Sequence, residues 1–444
     1  MRREELMRIH VGSLGCKLNQ SEMDELAALL ARNGHQIVAS AAEADVCILN
    51  TCAVTHVAAQ KSRQALGRLH HDNPSARLVA TGCYAELSPA ELSRLPGVEL
   101  VAGNRQKEQL ADLLGRAATI GRPIGMRHRA EGDRAIQPAI RSRTRAFVKV
   151  QDGCDNTCTY CVVRLARGPQ RSRPPEKILA DVQARVEAGH QEVVLTGVHI
   201  GAYGRDRPRA FDGSGGLDLW GLVARLLSET KIARLRLSSI EPWDLPEQAL
   251  QLWADTRLCR HLHLPLQSGS DAVLRRMGRR YTAAEFAAQV TAARAAIPDV
   301  AVTTDVIVGF PGETDSEFAE SLAFVEATGF ARAHVFPYSA RPGTVAAGLP
   351  DQVPSRIKAE RAQAMRAVAT ASDRAFRQRF VGRTMAVLWE TSRPGEDGLV
   401  WNGLTDNYLR VQAACPQGAD LANRITPARL VALVGRAVQG SVEI

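Results

Sequence analysis

No run of about 18 apolar residues occurs in the 444-residue chain, so no segment reads as a membrane-spanning helix. The amino terminus, Met1-Arg-Arg-Glu-Glu-Leu-Met-Arg8, lacks the apolar core of a signal peptide and passes at once into a strand-like stretch. The expectation is a soluble, cytoplasmic protein with no membrane partner. Internal repeats and low-complexity tracts are also missing, which sets aside repeat architectures. Nine cysteines is an odd count, and an intracellular thiol is kept reduced, so metal ligation or redox chemistry outweighs a disulfide framework.

An acidic surplus is absent as well. The formal charge is +9, yet residues 1–140 carry 17 Lys/Arg against 15 Asp/Glu and residues 380–444 carry six of each. Nearly all the excess therefore lies in the middle, where it suits either a phosphate-bearing partner or an ordinary solubilising surface.

With 45% hydrophobic residues the chain can bury a large core divided among two to four domains. Residues 1–117 alternate short apolar runs (9–13, 46–50, 78–81) with helical periods (21–33, 57–71, 89–94), the pattern of a doubly wound parallel sheet. Residues 118–140, rich in Gly, Pro and Arg, read as a linker. A second βα series spans 141–379, with strands expected at 147–151, 193–196, 235–238, 261–264, 303–308 and 334–337 and a long basic helix at 355–380. Six βα units are too few for a closed eight-stranded barrel. An open, partial (β/α)6 barrel is expected, with functional groups at the strand C-terminal ends. Residues 380–444 read as a small all-β barrel of short strands at 384–391, 399–404, 408–413 and 429–434.

The chemistry is carried by cysteine spacing. Cys154, Cys158 and Cys161 form CxxxCxxC on a polar loop after a strand. Three thiolates so spaced can hold three irons of a 4Fe-4S cube and leave the fourth open to a small molecule. Packing cysteines, or a zinc site completed by a distant residue, are the alternatives. Tyr160, just before the third ligand, offers a flat ring for an adenine or for local packing. Cys16, Cys52 and Cys83 each follow an expected strand of the first sheet, so their loops point into one crevice, with Gly15 and Gly82 permitting close approach. A second cluster and three buried strand-end cysteines both fit that placement. Cys47 reads as core, and Cys259 and Cys415 lack ligand-like company.

Asp152-Gly-Cys-Asp-Asn-Thr-Cys-Thr-Tyr-Cys161 resembles the radical S-adenosylmethionine (SAM) motif. Over nearly its full length the chain is similar to the methylthiotransferases, which join an N-terminal cluster domain, a radical SAM barrel and a C-terminal OB-like TRAM barrel. Further matching segments are Leu14-Gly-Cys-Lys-Leu-Asn-Gln20, Asn50-Thr-Cys-Ala-Val-Thr55, Thr81-Gly-Cys-Tyr84, Ala166-Arg-Gly168, Leu195-Thr-Gly197, Pro265-Leu-Gln-Ser-Gly269, Val308-Gly-Phe-Pro-Gly-Glu313 and Val335-Phe-Pro-Tyr-Ser339.

The resemblance implies two 4Fe-4S clusters, one on Cys154, Cys158 and Cys161 that cleaves SAM, the other on Cys16, Cys52 and Cys83 that holds sulfur. It implies methylthiolation of a tRNA adenosine in the anticodon loop, with separate electron-donor and sulfur-donor proteins. Gly15-Cys-Lys-Leu-Asn-Gln20 and Ile200-Gly-Ala-Tyr-Gly204 look most like the branch acting on C2 of N6-threonylcarbamoyladenosine at position 37. The dimethylallyl-adenosine branch, a ribosomal-protein aspartate branch and a non-catalytic RNA-binding iron-sulfur protein are the alternatives.

Thr196, Gly197, Ser239, Glu241, Gln267 and Asp305, near strand ends, are candidates for SAM contacts or for loop caps. Arg164, Arg167, Arg171, Arg173 and Lys177, then Arg374, Arg377, Arg379 and Arg383, are candidates for a phosphate footprint. Trp401, Tyr408 and Arg410 are candidate RNA contacts in the tail.

Overall fold

The computed structural model describes residues 6–117, 144–207, 216–396 and 398–442; the expected linker lies outside them. The chain forms two units, Met1–Ser142 with Val162–Gly168, and Arg143–Cys161 with Pro169–Ile444.

The first unit is organised by a strand buried at all six positions, Val46–Thr51, as a parallel strand covered on both faces must be. This is β3, joined in one parallel sheet by β1 (Arg8–Ser13), β2 (Gln36–Ile37), β4 (Arg77–Gly82) and β5 (Val98–Ala102), in the order β2-β1-β3-β4-β5. Helices α1 (Lys17–Arg32) and α5 (Leu110–Ala117) cover one face, where Ile9, Leu30, Ile48 and Leu114 are fully buried. Each such side chain contributes roughly 1.5–3 kcal/mol relative to exposure. Helices α2 (His56–Asp72), α3 (Cys83–Leu87) and α4 (Pro89–Leu92) cover the other face, where Leu66, Tyr84 and Leu92 pack with Ala80 of β4. The later segment supplies α6 (Val163–Arg167), which packs on α3. β2 and β5 were not expected: β2 has two residues and β5 is a half-buried edge without a long apolar run.

In the second unit β6 (Arg145–Lys149), β9 (Glu192–Thr196) and β10 (Arg234–Leu237) pair in parallel, as do β11 (His261–His263), β12 (Ala301–Val308) and β13 (Arg332–Pro337). Single parallel bridges, Leu235 to Leu258 and Ser239 to His263, join the two halves into one open row of six strands. A short antiparallel ribbon, β7 (Gln151–Asp152) with β8 (Arg171–Ser172), brackets the cysteine loop. Helices α7 (Pro175–Glu187), α8 (Leu219–Glu229), α9 (Asp271–Arg276), α10 (Ala283–Ala296), α11 (Asp315–Thr328) and α12 (Ser355–Gln378) complete the βα series. Reciprocal Thr/Glu capping boxes start α10 and α11.

Five strands, β14 (Thr384–Gly395), β15 (Gly398–Thr405), β16 (Arg410–Cys415), β17 (Ile425–Val434) and β18 (Ala437–Ser441), close a barrel in the order β14-β15-β16-β18-β17. β18 escaped the sequence pattern because Ala-Val-Gln-Gly-Ser has no apolar run. β16 starts two residues later than expected because Tyr408 has φ +70° and turns the chain.

Arg236 joins this barrel to the βα row. It is fully buried, donates to both carboxylate oxygens of Glu192 at 2.7 and 3.1 Å and to the carbonyls of Thr405 and Asp406, and lies 4.7 Å from the Tyr408 ring centre. Tyr408 also stacks on His261 at 4.6 Å, and Trp401 is 5% exposed with its indole N–H on the Ala419 carbonyl. Both aromatics expected to meet RNA are thus built into packing, whereas Arg410 is exposed.

Candidate active site

The strand order of the first unit reverses between β1 and β3, and a doubly wound sheet opens its ligand crevice at that point. Cys16 follows β1 as the N-cap residue of α1, Cys52 follows β3, and Cys83 follows β4 as the first residue of α3. Cys16 is exposed, while Cys52 and Cys83 are buried. A β-carbon on Gly15 would lie 3.0 Å from Cys52 Sγ, so this glycine (φ +101°) lets the two cysteine loops touch.

Burial pushes the Cys52 thiol up to about 11; the Val54 amide and the Arg167 guanidinium pull against it, while Cys83 and Cys16 add to the rise. Ser13 Oγ, Asn50 Oδ1 and Thr81 Oγ1, at the ends of the same three strands, are buried and lack a hydrogen-bond partner among the described residues. Orphaned polar atoms at the same strand ends that lead into the three cysteines suit a bound group that supplies the missing contacts.

Beside these thiols lies a polar network that the sequence did not reveal. Asn19 and Glu22 stand on α1 three and six residues after Cys16, so each neighbours the one before it on the helix surface. Asn19 is 3.7 Å from Cys16 Sγ and donates to the Leu14 carbonyl, and Glu22 accepts from Arg167, Lys107 and Asn50. The i, i+3 spacing of Cys16, Asn19 and Glu22 was the available signal.

In the second unit Cys154, Cys158 and Cys161 occupy the loop after β7, all half-buried. The Thr159 amide and hydroxyl donate to the carbonyls of Met277 and Arg276, and its carbonyl accepts from Ala346. Donors face the sulfurs: the Asn156 amide lies 3.4 Å from Cys154 Sγ, and Arg279 Nη1 lies 3.5 Å from Cys158 Sγ. Such donors favour thiolate ligands and tune a cluster held on them. His199 stands with Nδ1 3.8 Å from Cys154 Sγ and Nε2 2.5 Å from Asp244. Burial lowers the imidazole, but Asp244 and Cys154 more than compensate and raise it to about 9.

The candidate SAM contacts are spread over several strand ends. Thr196 is buried at the end of β9, and Gly197 leaves no room for a side chain, since its β-carbon would sit 2.8 Å from the Gln151 carbonyl. Glu241 is ion-paired with Arg279, whose guanidinium lies 5.1 Å from the ring centres of both Trp243 and Tyr281. Asp305 is 3.3 Å from His263 Nε2, and Gln267 takes φ +66° while its amide and carbonyl bridge to β12. Ser239 is exposed. Tyr160 meets Phe310 edge-on at 6.5 Å. His199, Asp244, Trp243 and Arg279 were not anticipated, because each is brought to the loop by a turn or strand end remote in sequence.

Several expected phosphate contacts are structural instead. Arg167 is 3% exposed and bound to Glu22. Arg173 pairs with Asp181 and the Lys149 carbonyl. Arg377 is buried on Asp373 and the carbonyls of Gly435 and Ala437, and Arg383 pairs with Asp299. Arg164, Arg171, Lys177, Arg374 and Arg379 remain exposed, and Arg383 is also exposed beside Asp299.

All nine cysteines are free. Among the described residues no three His, Cys, Asp or Glu side chains are placed to ligate a single ion. A cube asks less of its protein, because each thiolate binds a different iron.

Residues 148–325 match the Radical SAM superfamily, which makes the second unit the core of a radical SAM enzyme and brings with it a 4Fe-4S cluster and SAM. Residues 8–103 match Uncharacterized protein family UPF0004. The chain is 37% identical to the threonylcarbamoyladenosine tRNA methylthiotransferase MtaB of Bacillus subtilis (strain 168), over 90% of this chain and 88% of that protein. It is 35% identical to the tRNA-2-methylthio-N(6)-dimethylallyladenosine synthase of Desulfitobacterium hafniense (strain Y51), over 89% and 88%. The chain belongs to the radical SAM methylthiotransferases. Its fold is shared with the radical S-adenosylmethionine methyltransferase TsrM from Kitasatospora setae, at a TM-score of 0.56 and 14% identity over 77% of each chain. Among the described residues no helix is long and apolar enough to cross a membrane.

Proposed function

We propose that the protein methylthiolates C2 of N6-threonylcarbamoyladenosine at position 37 of tRNA, in the cytoplasm, with a 4Fe-4S cluster on each set of three cysteines. The observation that carries the reading is the gathering of Cys16, Cys52 and Cys83 at the ends of β1, β3 and β4 of the first unit, while Cys154, Cys158 and Cys161 share one loop of the second. When bound, the loop cluster supplies the electron for reductive cleavage of SAM, and the second supplies a seat for the sulfur to be transferred.

The chain's own residues do the holding. Thr159 fixes the loop through Met277, Arg276 and Ala346, and Arg279 and the Asn156 amide turn donors toward its sulfurs. Tyr160, Thr196, Gly197, Ser239, Glu241, Gln267 and Asp305 are the proposed SAM contacts; Glu241 would meet the cosubstrate while still tied to Arg279. Gly15 and Gly82 keep side chains out of the second site.

RNA would be met at the closed barrel, where a groove of about 520 Å³ is lined by Arg145, Tyr408, Arg410 and Arg436 with Asn402 and Gln412. Guanidinium groups at such a groove suit a phosphate backbone. An anticodon-loop adenosine is already unpaired, so presenting its C2 costs little. Electrons and replacement sulfur come from other proteins.

The threonylcarbamoyl branch is favoured by Gly15-Cys-Lys-Leu-Asn-Gln20 and by the relatives in Bacillus subtilis and Thermotoga maritima, each 37% identical. Mass spectrometry of tRNA nucleosides from cells lacking the gene tests it. The expected result is loss of the methylthio group from threonylcarbamoyladenosine alone. Loss from dimethylallyl-adenosine instead would assign the other branch.

A further inference from the structure

Arg167 is 3% exposed, six residues past Cys161, and its segment Val162–Gly168 belongs to the first unit. A guanidinium so deeply buried persists only where it is paired. Its Nη1 donates to Glu22 Oε1 at 2.8 Å, and its Nη2 donates to Asn19 Oδ1 at 2.6 Å and Glu22 Oε2 at 3.3 Å. Lys107, 8% exposed, places Nζ 2.5 Å from the same Glu22 Oε2 and 2.8 Å from Asn104 Oδ1. Glu22 is the one buried carboxylate among the described residues of this unit, so two buried cations share one anion.

The network reaches the cysteines on both sides. Asn19 Oδ1 is 3.7 Å from Cys16 Sγ, and Asn104 Nδ2 is 3.7 Å from Cys83 Sγ. Burial is the largest influence on Cys52, and Arg167 is a cation acting against it. Lys107 feels burial first, then Glu22, Arg167 and Cys83. An arginine cannot shed its proton, so at least its charge is fixed.

Resting on the second-cluster reading above, we propose that Arg167, supported by Lys107 and held in place by Glu22, is a positioning residue that gives the second cluster a cationic seat and raises its reduction potential. A cube on three thiolates is anionic and gains a further negative charge on reduction. A buried positive charge beside it favours the reduced state, and net charge and hydrogen bonds at the sulfurs are the protein's handles on that potential. The same seat would favour an anionic sulfur species over a neutral one.

The test uses the full-length chain with Cys154, Cys158 and Cys161 all changed to Ala, reconstituted anaerobically with iron and sulfide, so that only the second cluster is observed. Its midpoint potential is followed by electron paramagnetic resonance during a mediated redox titration. Arg167→Gln is expected to lower the reduced-to-oxidised ratio at a fixed solution potential tenfold or more, equivalent to a fall of ~59 mV for a one-electron couple. Arg167→Lys keeps the charge but not the two-pronged donor, and is expected to stay near the parent. Lys107→Gln should shift the potential in the same direction as Arg167→Gln, and it carries the test if Arg167→Gln does not fold.

An unchanged potential in the neutral variants, or an equal fall in Arg167→Lys, would overturn the proposal, the latter because lost hydrogen bonding rather than lost charge would be responsible. If the triple-alanine parent takes up no iron or labile sulfide, the second-cluster reading itself fails, an outcome visible before Arg167 is touched.

Discussion

Replacing Gly82 by Ala places one methyl group where the structure has no space, immediately before Cys83. Gly82 takes φ +97° and ψ −164°, a combination open essentially to glycine alone, and forcing it on alanine costs about 1–3 kcal/mol. The added β-carbon would lie 2.1 Å from Asn50 Oδ1, 2.5 Å from the Thr51 carbonyl oxygen and 2.9 Å from the Thr51 nitrogen. Two of these atoms are backbone of β3 and cannot swing away, so overpacking adds about 1–3 kcal/mol. The sum is roughly 2–6 kcal/mol, a large share of a typical domain's stability.

Any relief must move the β3 and β4 ends apart, and Cys52 and Cys83 with them. Gly189 is the control: it also has positive φ (+88°), but nothing lies within 4 Å of its β-carbon. Gly189→Ala should therefore cost only the backbone strain, about 1–2 kcal/mol. After anaerobic reconstitution, Gly82→Ala is expected to hold about half the iron and labile sulfide of the parent and to unfold at lower urea. Gly189→Ala should hold the full complement. A Gly82→Ala protein with full iron content and stability within about 1 kcal/mol of the parent would refute the claim that close approach at Gly82 builds the second site.

Cys83→Ala should still form 5′-deoxyadenosine from SAM while giving no methylthiolated tRNA; full product formation would remove the second cysteine set from the mechanism. Arg236→Met strands Glu192, whose carboxyl burial pushes up while Arg236, Arg145 and Arg234 hold it below its ordinary value. Loss of one partner of such a buried pair costs about 3–5 kcal/mol, read by urea unfolding at neutral pH. Because the folded pKa is depressed, that contribution is present above the unfolded carboxyl value of about 4.3 and fades as pH falls through the folded value, so the two proteins should converge in acid. Arg410→Gln with Arg436→Gln should weaken tRNA binding across sequences and reduce the slope of log affinity against log salt by about 1.4–1.8, as for two lost phosphate contacts. An unchanged slope would place the RNA elsewhere.

Features that depend on near neighbours were legible in the sequence. CxxxCxxC is a local spacing and β3 a continuous apolar run. The six-strand row followed from alternation along the chain. β18 was missed because Ala-Val-Gln-Gly-Ser is held by its partners β16 and β17 rather than by its own pattern. Arg167 was misjudged for a related reason: in sequence it stands among exposed basic residues, and only burial against Glu22, 145 positions away, makes it structural. Tyr408 shows the same effect, its ring being held by His261 and Arg236 even though it still lines the barrel groove.

By itself, then, the sequence determined the ligand chemistry, three thiolates at a spacing that fits a cube, and the order of elements that carries three more cysteines to the ends of strands. The tertiary structure decided which charges stand beside those thiols and which aromatics and arginines remain free for a partner. Thiolate spacing is set by a few consecutive backbone units, whereas the pairing of Glu22 with Arg167 and Lys107 depends on helices that meet only once the sheet is wound.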